Sequence, residues 1–554
     1  MHRENSVTSS VSLNPLIGLQ WPEFLGTLSD MARMLTCSPG VASDRLGAYL
    51  CDLAEILAGV SSIDPAAGDQ RFSDPEWRAN PRFRVAMQTY LAAVSHWREW
   101  VEQAPVDERR RQQLRYVVDC ANAACSPSNA WFANPVALRR ARETGGMSLV
   151  AGWRNMVTDL ARGSGFPAQV DGSKFRVGEN LACTPGSVVY RCEMFELLQY
   201  RPVTAEVFAR PQLLVPPLVN KYYLVDLAPG RSLVEAMLAR AGQVFVLSWR
   251  NPRPEHCHWG LDRYAEAIVE AIDTVRAVTG MPDVNLHGIC GGARVMVMAL
   301  AALAAKRALR QRVHAISLVV ANLITDEVSP GLFATPRAMA AVKQRSAERG
   351  VLGGKEMART FTLARPEDLV WHFWVNNYLL GKQPAAFDLL YWNGDNVNLA
   401  AKVHHQLLDV YAGNLLAKPD ALTVLGEAVD LRRIDCEAFV AGGSTDHISP
   451  WERVYQSAQL LGGPFEYCLN LSGHVQTVVS PPGNPKARYL INRGAAADGA
   501  EWRAAAEVAS GSWWQHWFDW VAARSGELMA APAQAGSGAC PPLGPAPGTY
   551  VLES

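Results

Sequence analysis

Short apolar strands alternate with helical stretches from about residue 175 onward, and this pattern constrains the fold more than any other feature. Strands that are joined through helices cross over the sheet, so they pair in parallel and helices cover both faces. The sequence therefore predicts an α/β core, with a mostly parallel sheet, over residues 176–525. The strand candidates are SVVYR, QLLVPPL, QVFVLSW, VNLHGI, AISLVVANLI, CEAFVAG and FEYCLNL.

Three segments depart from this alternation. Residues 1–175 have mainly helical patterns and are predicted to form an N-terminal domain. Between about residues 326 and 431 the strands stop, and aromatic-rich segments there predict a helical cap inserted into the core. Residues 526–554 are rich in Ala, Pro and Gly, a composition typical of an extended tail.

One helix of the N-terminal region has a clear apolar face. The segment SDRLGAYLCDLAEILAGV places Leu46, Leu50, Leu53 and Leu57 on one stripe after a Ser/Asp cap. Such a stripe can dock on a lipid-like surface. Packing against the rest of the same protein is the favoured interpretation, because amphipathic helices are common in soluble folds.

The composition excludes several classes of protein. With 52 basic and 53 acidic residues, the formal charge of -1 gives no basic surface for a nucleic-acid partner. The 11 cysteines are scattered without CxxC pairs, which favours a reducing cytoplasm and predicts no metal site. The N-terminus has no apolar leader, and VMVMALAALAA is too short to cross a bilayer, so no transmembrane segment is expected.

The candidate nucleophile is a cysteine between glycines. Gly288, Cys290 and Gly292 form G-x-C-x-G, after the strand VNL and before the helix ARVMVMALAALAA, which is the context of a nucleophile elbow in an α/β-hydrolase fold. Flanking residues at such a sharp turn cannot carry bulk. The helix N-terminus lowers the pKa of the thiol, and the Gly291 N–H is a candidate oxyanion donor. A second donor is expected after LLVPP, around Leu218 and Val219.

An elbow nucleophile requires an acid and a histidine, which follow it in that order in this fold. Asp446 comes after the strand CEAFVAG, and His474 comes after FEYCLNL. Taken singly, Asp446 is also typical of a turn and His474 of a surface position. Their order and their places after strands favour a Cys-His-Asp triad. His447 competes as the base, whereas His287 is interpreted as a packed core imidazole.

The chain resembles the polyhydroxyalkanoate synthases, and most closely their class II, medium-chain type. The similarity covers nearly the whole length, and the PPGNPKARY block after the histidine resembles class II rather than class I. Besides the cysteine box, the segments that carry it are QRFSDPEWRANP, SPSNAWFANPVALRRARETGG, LVPPLVNKYYLVDLAPGRSL, VLSWRNP, VWHFWVNNYLLG, FDLLYWNGDNVNL, VAGGSTDHISPW, SGHVQTVVSPPGNPKARY, SWWQHWFDW and APGTYV.

The resemblance places the family's nucleophile on Cys290, its aspartate on Asp446 and its histidine on His474. It implies polymerisation of 3-hydroxyacyl-CoA into polyester with release of CoA, and no cofactor, since CoA is part of the substrate. It also implies a homodimer on polymer granules in the cytoplasm, with the N-terminal domain supporting both contacts. Ala293 and Arg294 depart from the family box, which continues there with glycine and then a small or β-branched residue.

Sulfur suits this reaction, because exchange of one thioester for another keeps the acyl group reactive toward the next hydroxyl. Either Asp446 or His474 can take the proton of that hydroxyl. A thioesterase or lipase with the same triad, and a non-catalytic granule-binding protein, are the alternatives. The aromatic residues of the cap either line an acyl tunnel or form the cap's own core; they are Trp371, Trp374, Tyr378, Tyr391 and Trp392.

Overall fold

The computed structural model describes residues 13–37, 39–163, 165–325, 331–492, 494, 496 and 498–554. Their largest sheet has eleven strands. The strands are β1 (Gly186–Arg191), β2 (Phe195–Tyr200), β3 (Gln212–Val215), β4 (Val244–Trp249), β5 (Val284–Ile289), β6 (Val313–Val319), β7 (Glu437–Gly443), β8 (Phe465–Asn470), β9 (Arg488–Asn492), β10 (Glu507–Ser510) and β11 (Gly544–Pro545).

The strand order across this sheet is β10-β9-β8-β7-β6-β5-β3-β4-β2-β1-β11. The consecutive strands β4, β3, β5, β6, β7 and β8 pair in parallel, and the strands on both flanks pair antiparallel. The prediction of an α/β core with a mostly parallel sheet is confirmed. The carboxyl ends of β5, β7 and β8 therefore lie at the same edge of the sheet, which is where such folds place their sites.

Helices cover both faces of the sheet, and no described helix is both long and apolar enough to cross a membrane. The helix after β5 is largely apolar apart from Arg294, as expected for a helix whose residues from Gly292 to Leu303 are all buried. The helices from residue 186 onward are Leu233–Leu238, Leu261–Thr279, Gly291–Ala305, Pro336–Arg349, Gly354–Ala364, Asp388–Gly394, Ala401–Gly413, Trp451–Ala458, His474–Val478, Gly499–Ala504 and Trp513–Ala522, with π-helical turns at Glu367–Trp371 and Trp374–Leu379.

The described part of residues 1–175 contains only helices and turns. Its α-helices are Trp21–Cys37, Pro39–Ala58, Glu76–Ala79, Pro81–Glu102, Glu108–Cys125, Pro135–Glu143 and Met147–Ala161.

This helical region packs on the cap. Gln113 donates to the Leu332 carbonyl at 2.9 Å. The last helix, Met147–Ala161, approaches the cap so closely that a Cβ on Gly152 would lie 1.8 Å from the carbonyl oxygen of Tyr378. Only glycine allows that contact.

The leucine stripe of helix Pro39–Ala58 does not pack as the sequence predicted. Leu46, Leu50 and Leu57 are 57%, 54% and 67% exposed, whereas the neighbouring Ile56 is fully buried. The helix thus contacts helix Pro81–Glu102 through a different face. The helix thus packs on the same protein, as predicted, but three of the four leucines of the stripe lie outside that contact.

Three of the cap aromatics form hydrogen bonds to residues outside the cap. The Trp374 Nε1–H donates to the Asn129 carbonyl at 3.0 Å, and the Tyr378 hydroxyl donates to Asp159 at 2.9 Å. The Trp392 Nε1–H donates to the Lys221 carbonyl at 2.8 Å. These hydrogen bonds tie the cap to the N-terminal helices and to the loop after β3. Two short strand pairs, Val351–Leu352 with Leu399–Ala400 and Thr423–Val424 with Glu427–Ala428, complete this region.

Residues 526–554 return to the sheet. Strand Leu528–Ala530 pairs with Glu206–Phe208, and β11 pairs with β1 at the sheet edge. The fully buried Glu196 carboxylate accepts hydrogen bonds from the Thr549 and Tyr550 N–H groups at 2.9 and 3.0 Å. The tail is therefore held by backbone pairing and by a buried charge.

Candidate active site

The turn after β5 has the strained geometry of an elbow. Cys290 adopts φ 49° and ψ −121°, a conformation that side-chain-bearing residues rarely take, and its N–H donates to the Val319 carbonyl at 2.9 Å. A Cβ on Gly288 would lie 2.6 Å from Ala293 Cα, and one on Gly292 would lie 2.1 Å from the Pro216 oxygen. The two glycines let strand, turn and helix pack this closely, and Cys290 is left half-buried at the top of the sheet.

The loops after β7 and β8 bring the acid and the imidazole together. His474 Nδ1 lies 2.6 Å from Asp446 Oδ2. Asp446 Oδ1 accepts hydrogen bonds from the Ile448 and Ser449 N–H groups, both at 2.8 Å. The carboxylate is fully buried and both oxygens are occupied, so it orients the imidazole with Nε2 free to face another group.

That other group is Cys290, which lies close enough to His474 for each side chain to shift the pKa of the other. Burial acts to raise the pKa of the Cys290 thiol, but His474 and the charge of Arg294 together lower that pKa below its usual value. Burial acts to lower the pKa of His474, but Asp446 and Cys290 hold it well above its usual range. Both shifts favour a thiolate–imidazolium pair.

The predicted oxyanion donors lie side by side. The Leu218 amide nitrogen is 3.9 Å from the position that a Cβ on Gly291 would take. Gly291 is the first residue of helix Gly291–Ala305, where N–H groups lack helical acceptors. The Val219 carbonyl accepts from the Val397 N–H at 3.4 Å, so this loop also contacts the cap.

Two other histidines, the competing candidate base His447 and the predicted core residue His287, lie in different surroundings. Burial and the charge of Arg365 lower the pKa of His447 to about 4, and the Asp446 carboxylate binds His474 instead. His287 is 2% exposed, its Nε2 lies 2.7 Å from Gln212 Oε1, and burial lowers its pKa to about 3. It is a packed core imidazole, as predicted. Among the described residues, no group of three His, Cys or acidic side chains could hold a metal ion.

Sequence reasoning missed the surroundings of Arg294. Its guanidinium donates to the Tyr411 hydroxyl and to the Asn322 carbonyl, and its carbon lies 4.3 Å from the Tyr411 ring centroid. Asn322 follows β6, and Tyr411 belongs to the cap helix Ala401–Gly413. The departure at Arg294 was visible in the sequence, but its partners are 28 and 117 residues away.

The mostly parallel sheet, the elbow and the acid and histidine after later strands define a protein of the α/β-hydrolase fold. The family model described as alpha/beta hydrolase fold matches residues 231–481. A second model, described as Poly-beta-hydroxybutyrate polymerase (PhaC) N-terminus, matches residues 68–237 and so extends past the predicted boundary at 175 into the first strands of the sheet.

Curated relatives identify the family. The chain is 43% identical to poly(3-hydroxyalkanoate) polymerase 2 of Ectopseudomonas oleovorans, over 98% of this chain and 97% of the relative. It is 39% identical to poly(3-hydroxyalkanoate) polymerase subunit PhaC of Cupriavidus necator, over 87% and 83%. The chain belongs to the poly(3-hydroxyalkanoate) polymerase family. A solved hydrolase from Pseudomonas aeruginosa covers 53% of this chain and 92% of its own, with 16% identity and a TM-score of 0.31.

Proposed function

We propose that this protein is an acyltransferase that polymerises 3-hydroxyacyl-CoA into polyester, releases CoA and carries the growing chain as a thioester on Cys290. The observation that carries the proposal is the connected set Asp446–His474–Cys290 at the elbow. It occurs in a chain whose relatives are named poly(3-hydroxyalkanoate) polymerases.

The first half-reaction loads the cysteine. His474 takes the thiol proton, and the Cys290 thiolate attacks the thioester carbonyl of the substrate. The N–H groups of Gly291 and Leu218 stabilise the oxyanion. The bond to the CoA sulfur breaks, and that sulfur leaves as a thiol with the proton from His474. One thioester replaces another, so the acyl group remains activated.

The second half-reaction makes the polymer bond. The 3-hydroxyl of another acyl unit gives its proton to His474 and attacks the acyl carbon on Cys290. The carbon–sulfur bond breaks, an oxoester forms, and the sulfur regains the proton. Asp446 is fully buried and both of its oxygens already accept hydrogen bonds, which supports His474 as the base and Asp446 as the group that orients it.

To test this, purified protein is incubated with 3-hydroxydecanoyl-CoA, and free CoA, insoluble polyester and the intact mass of the protein are measured. We expect CoA release, polyester and an acyl adduct on Cys290. Cys290→Ala should abolish all three, and the exposed Cys257→Ala should behave as wild type. Release of free 3-hydroxydecanoate instead of polymer would assign a hydrolase, and no release would assign a binding protein.

We propose medium-chain substrates, supported by the class II character of the PPGNPKARY segment. In parallel assays, 3-hydroxydecanoyl-CoA is expected to be polymerised with a higher kcat/KM than 3-hydroxybutyryl-CoA. Equal or inverted values would refute this assignment while leaving the reaction intact.

We propose that the enzyme works as a homodimer on polyester granules in the cytoplasm. An apolar face on helix Met147–Ala161 supports the granule contact, since a polyester surface is apolar. This apolar face consists of the exposed side chains Met147, Val150, Trp153, Val157 and Leu160.

The granule contact is tested by sedimentation with polyester particles. Val150→Ser combined with Val157→Ser should reduce cosedimentation, whereas the exposed neighbour Arg154→Ser should not. Unchanged binding of the double variant would exclude this face. Sedimentation equilibrium tests the dimer, which should have twice the chain mass of 60.5 kDa.

A further inference from the structure

Arg294 is a buried cation in the first turn of the helix that follows Cys290. Arg294 is 8% exposed, and its backbone N–H donates to the Cys290 carbonyl at 3.3 Å. Arginine side chains carry a positive charge. A buried, positively charged side chain therefore starts from a residue whose backbone lies one helical turn from Cys290.

The partners of this guanidinium are uncharged. It donates to the Tyr411 hydroxyl and to the Asn322 carbonyl, and it lies over the Tyr411 ring at 4.3 Å. These contacts satisfy N–H donors of the guanidinium and hold it in place. Neither Tyr411 nor Asn322 carries a full negative charge that would cancel the field of the guanidinium. The field of Arg294 thus extends to nearby groups in a poorly solvated region.

Asn322 follows β6, the strand that pairs directly with β5. The bond to its carbonyl therefore holds the guanidinium between the elbow helix and the loop after the neighbouring strand. Tyr411, from cap helix Ala401–Gly413, supplies the other contact. Three elements that are distant in the sequence fix the charge beside the elbow.

We propose that Arg294 is a positioning residue that stabilises the anionic form of the Cys290 sulfur through its fixed charge. This inference rests on the proposed function in that Cys290 is taken as the nucleophile. Arg294 need not touch the substrate. Its action is distinct from that of His474, whose charge appears and disappears as the proton moves.

The charged groups that face Cys290 have opposing effects. Burial and the negative charge of Asp446 act to raise the pKa of the thiol, whereas His474 and Arg294 lower it. In the second half-reaction the sulfur leaves the acyl carbon as an anion. His474 can be neutral or charged at that moment, but Arg294 is always charged, so its contribution persists through both half-reactions.

The test measures how fast iodoacetamide alkylates Cys290 from about pH 5 to about pH 10, with peptide mass spectrometry to isolate this thiol from the other cysteines. Arg294→Gln keeps an amide donor but removes the charge. We expect the midpoint of its alkylation profile to rise by about one pH unit. Arg294→Lys keeps a cation and should restore most of the wild-type midpoint.

Lys306→Met is the matched control, because Lys306 is an exposed cation at the far end of the same helix. Its profile should equal that of wild type. A folded Arg294→Gln protein with an unchanged alkylation midpoint overturns the proposal. If Arg294→Gln does not fold, Arg294→Met is measured in its place, with the same expectation. Failure of wild-type Cys290 to acquire an acyl group from substrate refutes the proposed function instead, whatever the alkylation profiles.

Discussion

Adjacent glycines of the elbow should respond very differently to alanine. A Cβ on Gly292 would lie 2.1 Å from the Pro216 oxygen and 2.6 Å from the Val215 oxygen, whereas one on Gly291 has the Leu218 nitrogen as its nearest atom, at 3.9 Å. The atoms in the way at Gly292 are backbone, so no side-chain rotation relieves the clash.

The Pro216 carbonyl must move before the new Cβ at position 292 and the Pro216 oxygen are even 3.0 Å apart, which is still a tight contact. That movement is about 1 Å, a displacement that can lower a rate by about 100-fold when it affects an aligned catalytic group. Leu218, the proposed second oxyanion donor, is only two residues further along the same loop. We therefore expect Gly292→Ala to lower kcat/KM for CoA release by about 100-fold and stability by about 1–3 kcal/mol.

The assay compares CoA release and the thermal unfolding midpoint of Gly292→Ala, Gly291→Ala and wild type. Gly291→Ala should retain activity within about 10-fold, since a new methyl meets only ordinary contacts and the N–H is kept. Equal activity and equal unfolding midpoints for the two variants would refute the steric account of the elbow.

Three further outcomes are expected. Asp446→Asn should lower CoA release on the order of 10⁴-fold, because Oδ1 stays with the Ile448 and Ser449 N–H groups and the new NH₂ group would donate to His474 Nδ1, which fixes the wrong tautomer. The pKa of buried His287 is lowered to about 3, so its contribution to stability is complete above about pH 6.5 and declines as the pH falls toward 3. Between pH 7 and pH 5 the free energy of unfolding of His287→Gln should therefore fall by about 2 kcal/mol less than that of wild type, as measured by urea titration. An equal fall in both proteins would contradict this. Deleting residues 549–554 removes three hydrogen bonds from buried Glu196 and should lower the thermal midpoint, whereas an unchanged midpoint would show that the tail adds no stability.

Local sequence patterns predicted the fold and the strands after which the candidate triad residues lie. The strand before Cys290 and the helix after it are present, and Asp446 and His474 lie after β7 and β8 as their spacing indicated. These features are predictable because parallel strands joined by helices bring their carboxyl ends to one edge, whatever the intervening loops contain.

Other features depend on contacts between distant segments. The stripe of Leu46, Leu50 and Leu57 shows that a helix has an apolar face, but its exposure depends on which partner is available. The end of the Ala/Pro/Gly-rich tail becomes a strand only because β1 offers unpaired backbone groups at the sheet edge.

By itself, the sequence determined the elbow, because the strand, the G-x-C-x-G turn and the helix are consecutive along the chain. The close backbone contacts at positions 288 and 292 leave room only for the glycines that the sequence has there. Only the tertiary structure decided where the charge of Arg294 lies. A side chain's electrostatic effect depends on distance and on its partners, and Asn322 and Tyr411 come from another strand end and from the cap.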